Sequence, residues 1–280
     1  MKSCGTSLLL LACLWPRVDH AQWLSLPDPV PQRVFGSDAR KISTQWHNPG
    51  NEPLAAEMRL RLYQASSATA APLMEKPWKQ IELLPGQTVL ESASVDFPAV
   101  NAETTLIVQW LTATNRIVGR TEVLVYPTNL LAELKSLFNV SEALGVLDPN
   151  GSLTPSLKQN GVPCVDLGEK SLDDFSGKLA IIGPFPSKSQ MRDGLAQSIR
   201  QIAKKGVAVV WIQPPPGPSD DLQPSFYLVP EGRGAVVIVQ SDLVADFSDN
   251  PRSQLNLIHL CKLALNPVPL PLPNLPPNHE

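Results

Sequence analysis

Hydrophobic and polar residues alternate along much of the chain from Gln32 to Tyr126. In the segment AEMRLRLYQA, apolar residues occupy every second position from Met58 onward, which is the period of a half-buried strand. The runs TTLIVQWLTA and IVGRTEVLVYP repeat this pattern, and Pro-Gly turns at 49–50 and 85–86 separate further short strands. Because no helical stretch interrupts them, these strands predict an all-β domain over residues 22–127, an antiparallel β-sandwich.

The pattern changes after Pro127. Continuous apolar runs such as GVAVVWIQ and GAVVIVQ are typical of parallel strands that are covered on both faces. Segments with helical spacing lie between such runs, and the longest of them, SQMRDGLAQSIRQIAKKG, ends on two lysines and Gly206. Strands that alternate with helices predict a doubly wound, mainly parallel α/β sheet over residues 128–265.

The two ends of the chain differ from these predicted domains. Residues 1–21 contain Lys2, a short apolar stretch and a polar end, which predicts a secretory signal peptide and hence an exported, periplasmic or extracellular protein. The run LLAC, which ends at Cys13, resembles a lipoprotein box, so a lipid anchor on this cysteine is the alternative. Residues 266–280 are rich in proline and predict an extended, polyproline-like tail.

The composition limits the classes of partner. The chain of 280 residues has a formal charge of −3, and nucleic acids select basic surfaces, so no nucleic-acid partner is expected. Outside the predicted leader the sequence keeps two cysteines, Cys164 and Cys261, both among apolar residues. They predict buried thiols that pack as small hydrophobes, with a single disulfide between them as the alternative in an oxidising compartment.

Several predicted parallel strands are followed by polar residues or glycine. In an open parallel sheet, ligands gather beyond the carboxyl ends of the strands. The candidate ligand-binding residues at these ends are Asp148, Gly183, Gln213 and Asp242. Structural alternatives stay open, because Asp148 in DPNG favours a turn, Asp242 can cap the following segment, and Gln213 can bond to a loop amide.

The order of elements in LGVLDPNGSLTPSLKQNGV, GKLAIIGPF and GVAVVWIQPP resembles the class I glutamine amidotransferase-like fold, which is flavodoxin-like. Together with the β domain before it, the chain is similar to accessory regions of secreted bacterial proteins related to glycoside hydrolase family 2. In those regions, immunoglobulin-like and amidotransferase-like modules accompany carbohydrate-active domains. The resemblance covers most of the chain and implies an immunoglobulin-like sandwich, an amidotransferase-like domain and a role related to carbohydrate.

The chain departs from the amidotransferase pattern where the chemistry of that family resides. The family carries a nucleophilic cysteine on a sharp turn between a strand and a helix, beside an oxyanion hole. Here the corresponding strand ends at Gln213 and three prolines follow, which supply neither a thiol nor backbone N–H donors. Beyond the prolines the histidines are His259, in a predicted helix, and His279, in the tail. We therefore assign no catalytic residue and expect no glutaminase or acyl-transfer chemistry.

Other chemical motifs are also absent from the sequence. It contains no G-x-G-x-x-G and no P-loop, so nucleotide binding lacks its phosphate cradle. No Cys, His or carboxylate stands at ligand spacing beside His47, so we expect no metal and no cofactor. Trp78, between Pro77 and Lys79 in a predicted turn, is the tryptophan best placed to stack on a sugar ring, whereas Trp110 alternates within an apolar strand and is predicted to lie in the core.

These observations favour an exported, non-catalytic binding or assembly module linked to carbohydrate processing. Its partner would be a carbohydrate or a protein, and self-association through the α/β domain is a further possibility. The alternative is a glycosidase-like hydrolase in which Asp148 and Asp242 meet at the carboxyl edge of the sheet. That chemistry needs two carboxylates that face each other across a bound sugar.

Overall fold

The fold is taken from a computed structural model. It describes residues 24–26, 30–65, 70–138, 143–168, 172–185, 187–214, 226–240, 243 and 246–267. The predicted signal peptide with Cys13, the candidate Asp242 and nearly all of the proline-rich tail lie outside the described residues.

The described residues up to Tyr126 form strands joined by turns. Their bounds are β1 (Leu24–Leu26), β2 (Gln32–Phe35), β3 (Ala39–His47), β4 (Leu54–Ala65), β5 (Ala70–Leu83), β6 (Thr88–Asp96), β7 (Thr104–Thr112) and β8 (Ile117–Tyr126).

Strands and helices both occur in the rest of the described chain. The strands are β9 (Leu144–Leu147), β10 (Cys164–Asp166), β11 (Leu179–Ile182), β12 (Ala208–Gln213), β13 (Phe226–Glu231) and β14 (Gly234–Gln240). The α-helices are α1 (Thr154–Gln159), α2 (Leu195–Lys205) and α3 (Pro251–Leu265), and short 3-10 segments cover Leu130–Leu137, Leu172–Asp174 and Lys188–Gln190.

The strands form three sheets. The orders are β1-β3-β6, then β2-β8-β7-β4-β5, then β10-β9-β11-β12-β14-β13. In the six-stranded sheet, β10, β9, β11, β12 and β14 are parallel neighbours and β13 is antiparallel to β14. In the five-stranded sheet, β2 runs parallel to β8 and β4 runs antiparallel to β5.

The predicted fold class, an all-β immunoglobulin-like sandwich followed by a doubly wound α/β domain, is wrong. The described chain is mostly β, with few helices and with sheets that mix parallel and antiparallel pairs. Since β2 and β8 pair in parallel, the strands of this region do not form the purely antiparallel arrangement that was predicted. In the six-stranded sheet, β13 and β14 form an antiparallel hairpin, and the described link from β10 to β11 contains a 3-10 turn at Leu172–Asp174 where a doubly wound sheet has a helix.

The chain divides into two compact units. The described parts of the first are β1, Ser43–Ala93 and Ile107–Thr121. Its core contains the apolar face of β4, namely Met58, Leu60 and Leu62, as the alternation predicts. Trp46 and Trp110 are fully buried in the same unit, which confirms the core position predicted for Trp110.

The second unit comprises Val30–Ile42, Ser94–Leu106 and the described residues from Glu122 onward. Its six-stranded sheet is buried on both faces. On β11, Leu179 and Ile181 pack in the cluster that contains residues of α3, whereas Ala180 and Ile182 pack in the cluster that contains residues of α2. This two-sided burial explains why the strands read as continuous apolar runs.

The helices of the second unit begin and end at residues with suitable chemistry. The side chain of Asn250 accepts the backbone N–H groups of Arg252 and Ser253 and so caps α3. Helix α2 ends at Gly206, which has a φ of 111°, as the glycine at that position predicts. Within the described residues, no helix is both long and apolar enough to cross a lipid bilayer.

Candidate functional site

The carboxyl ends of three neighbouring strands surround a cleft in the second unit. Strand β9 lies between β10 and β11 in the sheet. The chain therefore runs from β9 to β10 on one side and then crosses to β11 on the other side of β9. In open parallel sheets, the crevice at such a reversal of strand order is the usual place for a ligand. The cleft here has a volume of about 290 Å³ and is lined by Leu147, Asp148, Pro149, Asp166, Gly168, Phe185, Gln190, Arg192 and Leu195. We call it the Asp148 cleft.

Asp148 follows β9 and organises the start of α1. Its Oδ2 accepts the backbone N–H groups of Leu153 at 2.9 Å and Thr154 at 2.8 Å, and its Oδ1 accepts that of Ser152 at 3.2 Å. Asp148 thus has the turn-forming role that the sequence DPNG favours, and it also lines the cleft. A carboxylate has about four acceptor positions, so these three bonds leave Oδ1 able to accept a further hydrogen bond.

The other polar groups of the cleft are more exposed. Asp166, the last residue of β10, accepts the Gly168 N–H through Oδ1 at 2.7 Å. Gln190 and Arg192, between β11 and α2, have exposed side chains. Phe185 and Leu195 are buried and give the cleft an apolar part.

Gly183 and Gln213 lie at the same edge of the sheet but are absent from the lining of the cleft. Gly183 has a φ of 99°, and a Cβ there would come within 2.2 Å of the Ile212 carbonyl oxygen, so the backbone itself requires glycine. Gln213 accepts a hydrogen bond from the Gln240 amide at 3.3 Å, across the pair of β12 and β14. Asp242 lies outside the described residues.

Trp78 lies in the first unit, where β5 passes β4 with a shift in register. Its ring centroid is 4.8 Å from that of Trp110 and 6.2 Å from that of Trp46. The Lys79 Nζ lies 5.4 Å from the centroid of the Trp78 ring, and Lys79 also pairs with Glu91. Trp78 is half-buried and borders a cleft of about 400 Å³. The core tryptophans and Lys79 thus already use much of the ring surface that a sugar would need.

The thiols of the described residues are poor nucleophiles. Cys164 and Cys261 are both free, so the disulfide alternative is not realised. Burial raises the pKa of Cys261 to about 12 and that of Cys164 to about 11. Both side chains stay protonated at neutral pH, and the reactive form of cysteine is the thiolate. Among the described residues, no cluster of three or more His, Cys, Asp or Glu side chains could hold a metal ion.

Sequence reasoning found Asp148 but missed the residues around it. Asp166 is the last residue of β10, and Asp148 follows the last residue of β9, so the position at the end of a short apolar strand was the available signal. Arg192 falls within a segment that helical spacing assigned to a helix, whereas the helix begins at Leu195. No sequence signal places Gln190 and Arg192 opposite the strand ends.

Comparisons with known proteins find weak similarity only. No protein-family model and no curated protein matches the chain. The Pseudomonas fluorescens alkylpurine DNA glycosylase bound to DNA is similar over 38% of this chain and 30% of its own, with 13% identity and a TM-score of 0.29. The Listeria innocua β-glucosidase in complex with glucose is similar over 37% of this chain and 16% of its own, with 10% identity and a TM-score of 0.27.

A glycoside hydrolase family 3 β-glucosidase of Bifidobacterium adolescentis is similar over 38% of this chain and 17% of its own, with 11% identity and a TM-score of 0.26. The match therefore spans less than a third of the length of each of these three enzymes. The chain is weakly similar to such β-glucosidases and to other distant folds. At these scores the similarity carries neither a fold nor a function.

Proposed function

We propose that this protein is an exported, non-catalytic binding module linked to carbohydrate processing, and that the Asp148 cleft holds a small polyhydroxylated ligand. The observation that carries the proposal is the lining of the cleft. It combines carboxylate, amide and guanidinium groups with an apolar part, and no residue described as lining it is Ser, Thr, Cys or His. A cleft at the reversal of strand order thus offers binding groups without a hydroxyl, thiol or imidazole nucleophile or base.

The chemistry of the lining fits a sugar ring. Asp148 and Asp166 can accept hydrogen bonds from hydroxyl groups, and Arg192 can donate to hydroxyl oxygens. The Phe185 and Leu195 side chains offer apolar contact to the C–H face of a ring. A volume of about 290 Å³ stands near the lower end of the range of small-molecule sites, roughly 300–1,000 Å³. A monosaccharide is therefore the size of ligand that we expect.

The proposal that the module is non-catalytic rests on a comparison with the amidotransferase-like modules that the sequence resembles. Where that family has its cysteine, this chain has Gln213 followed by Pro214, and the Gln213 amide is bonded to Gln240. Both described thiols are held protonated by burial. A scaffold of this kind keeps a crevice at the strand ends but has no nucleophile at the turn.

Calorimetric titration of the purified protein with a panel of neutral monosaccharides tests the proposal. We expect one or more sugars to bind and the affinity to fall by about tenfold or more in Arg192→Ala, since removing a charged hydrogen-bond partner costs at least that much. Arg200→Ala is the matched control, because Arg200 is an exposed arginine of α2 that does not line the cleft. Absence of heat with every sugar, or an equal loss in both variants, would overturn the proposal.

The glycosidase-like alternative makes a different prediction. The alternative named Asp148 and Asp242, and Asp242 lies outside the described residues, whereas Asp166 lines the cleft together with Asp148. If Asp148 and Asp166 served as acid and base, chromogenic glycosides would be hydrolysed and Asp166→Asn would abolish turnover. Asp166→Asn is a mild change, because Asp166 accepts the Gly168 N–H through an oxygen that asparagine retains. Turnover that disappears in this variant would replace the binding role by a hydrolase.

A further inference from the structure

A second cleft, separate from the Asp148 cleft, lies along α3 in the second unit. It has a volume of about 550 Å³. Its lining residues are Arg33, Glu103, Tyr126, Phe226, Arg252, Leu255, Asn256, His259 and Leu260, all of which belong to the second unit. We call it the α3 cleft.

One face of α3 supplies much of the lining. Arg252, Leu255, Asn256 and His259 follow one another at spacings of three, one and three residues. On a helix these positions lie on the same side. A continuous stripe of α3 therefore presents one guanidinium, one imidazole, one amide and one leucine to the cleft.

The part of the lining that lies outside α3 contains a hydrogen-bonded triad. The Tyr126 hydroxyl is bonded to the side chains of Glu103 and Arg33. Burial is the main cause that raises the pKa of Tyr126, so the phenol stays protonated and donates to the Glu103 carboxylate. Arg33 in turn donates to the phenol oxygen. These bonds hold the Arg33 guanidinium at the cleft.

Cationic groups outnumber anionic groups in the lining. Arg33 and Arg252 are always charged, whereas Glu103 is the one carboxylate of the lining. Arginine presents a planar fork of donors that matches an oxyanion. Phe226, Leu255 and Leu260 add an apolar surface beside these donors.

We propose that the α3 cleft binds a small organic monocarboxylate with an apolar body. The carboxylate would lie between Arg252 and His259, with Arg33 across the cleft, and the body would pack on Phe226 and Leu255. A singly charged group fits better than a phosphate dianion, because Glu103 repels the second negative charge. This proposal is independent of the sugar proposed for the Asp148 cleft, since the two clefts share no lining residue.

The test is an NMR titration of the purified protein with benzoate, phenyl phosphate and the neutral analogue benzamide as probes. We expect benzoate to shift resonances of α3 in a saturable manner, phenyl phosphate to bind more weakly and benzamide to bind weakly or not at all. In Arg252→Gln the benzoate affinity should fall by about tenfold or more, and Arg252→Lys should restore part of it because the charge returns without the planar fork.

His259→Gln provides a second variant, because His259 is exposed and its replacement leaves the helix core untouched. It should weaken benzoate binding, because the imidazole is lost from the proposed carboxylate site. Arg200→Gln on α2 is the matched control and should leave the affinity unchanged. No saturable shift with benzoate, equal binding of benzamide, tighter binding of phenyl phosphate, or an affinity that ignores both α3 variants would each overturn the proposal.

Discussion

The carboxylate of Asp148 accepts the backbone N–H of Thr154 at a distance of 2.8 Å. Thr154 is the first residue of α1, and the first N–H groups of a helix lack partners within the helix. One side chain thus joins the end of β9 to the start of α1 while it faces the cleft proposed for a sugar. A structural role and a binding role therefore meet in the same carboxylate.

Asp148→Ala should lower the free energy of unfolding by about 1–2 kcal/mol, which is the usual cost of removing a side chain that caps the start of a helix. Asp148→Asn keeps one oxygen acceptor and should cost less. Urea denaturation measures both changes. Glu122→Ala is the control, because Glu122 is an exposed residue of β8. A loss no larger than that of the control would show that the three N–H bonds contribute little to stability.

The alternation of apolar residues predicted where strands lie, but not how they pair. Met58 and Leu60 lie on the buried face of β4 because every second side chain of a strand points the same way. The same period is compatible with either a parallel or an antiparallel neighbour, which is why the parallel pair of β2 and β8 was missed. The sequence also failed to predict the full length of β5, because it placed Trp78 in a turn. Pro72 and Pro77 lie within this strand, which is at the edge of its sheet, where proline is tolerated.

Thr121→Val should lower the free energy of unfolding by about 1–3 kcal/mol, because it leaves a buried donor without a partner. The Trp110 indole N–H donates to the Thr121 hydroxyl at 3.0 Å, and both residues are buried in the first unit. Thr121→Ser keeps the hydroxyl and removes one methyl group, so it tests the packing separately. Denaturation followed by tryptophan fluorescence provides the measurement, and similar losses for the two variants would argue against the hydrogen bond.

The candidate site could be predicted in part because strand ends are visible in a sequence. Asp148 was found from its place after an apolar run, and it does line the cleft. Gln213 and Gly183 were found by the same reasoning, but neither lines the cleft. The Gln213 side chain is hydrogen-bonded to Gln240, and Gly183 lies against the Ile212 carbonyl. Asp166 was missed although its strand end was a usable signal. Arg192 was missed because its place beside these strand ends depends on tertiary pairing that no local pattern encodes.

The two described cysteines should react very slowly with a thiol reagent in the folded protein. With pKa values of about 11 for Cys164 and about 12 for Cys261, roughly one thiol in a thousand and one in ten thousand is ionised at pH 8. Absorbance on addition of Ellman's reagent measures the rate. Unfolding in guanidinium chloride should release both thiols at once, and rapid labelling of both of them in the folded protein would contradict the burial of Cys261.

The same burial predicts a loss of stability in alkali. The pKa of Cys261 rises from 9.0 to about 12 on folding, so the folded state holds this proton more tightly than the unfolded state does. The contribution is complete below pH 9 and is lost as the pH rises toward 12, with a slope of up to about 1.4 kcal/mol per pH unit. Cys261→Ala should flatten the fall between pH 8 and pH 10 in urea denaturation. An unchanged slope in the variant would assign the fall to other groups.

Glycine is required at Gly234 and at Gly151 for different reasons, which are the lack of space for a Cβ at Gly234 and the positive φ at Gly151. A Cβ on Gly234 would lie 2.4 Å from the Val207 carbonyl oxygen and 2.6 Å from that of Ala203, and neither backbone oxygen can rotate away. A Cβ on Gly151 would meet nothing within 4 Å, but its φ of +64° is a conformation that other residues adopt at a cost.

Gly234→Ala should therefore cost about 3 kcal/mol or more through overpacking, whereas Gly151→Ala should cost about 1–2 kcal/mol through backbone strain. Gly151→Asn then discriminates between the two reasons, because asparagine tolerates a positive φ better than alanine does and should recover part of the loss. Thermal unfolding of the three variants measures the order. If Gly151→Ala proved the more damaging of the two alanine variants, that result would contradict the close contact between Gly234 of β14 and the carbonyl oxygens of Ala203 and Val207 at the end of α2.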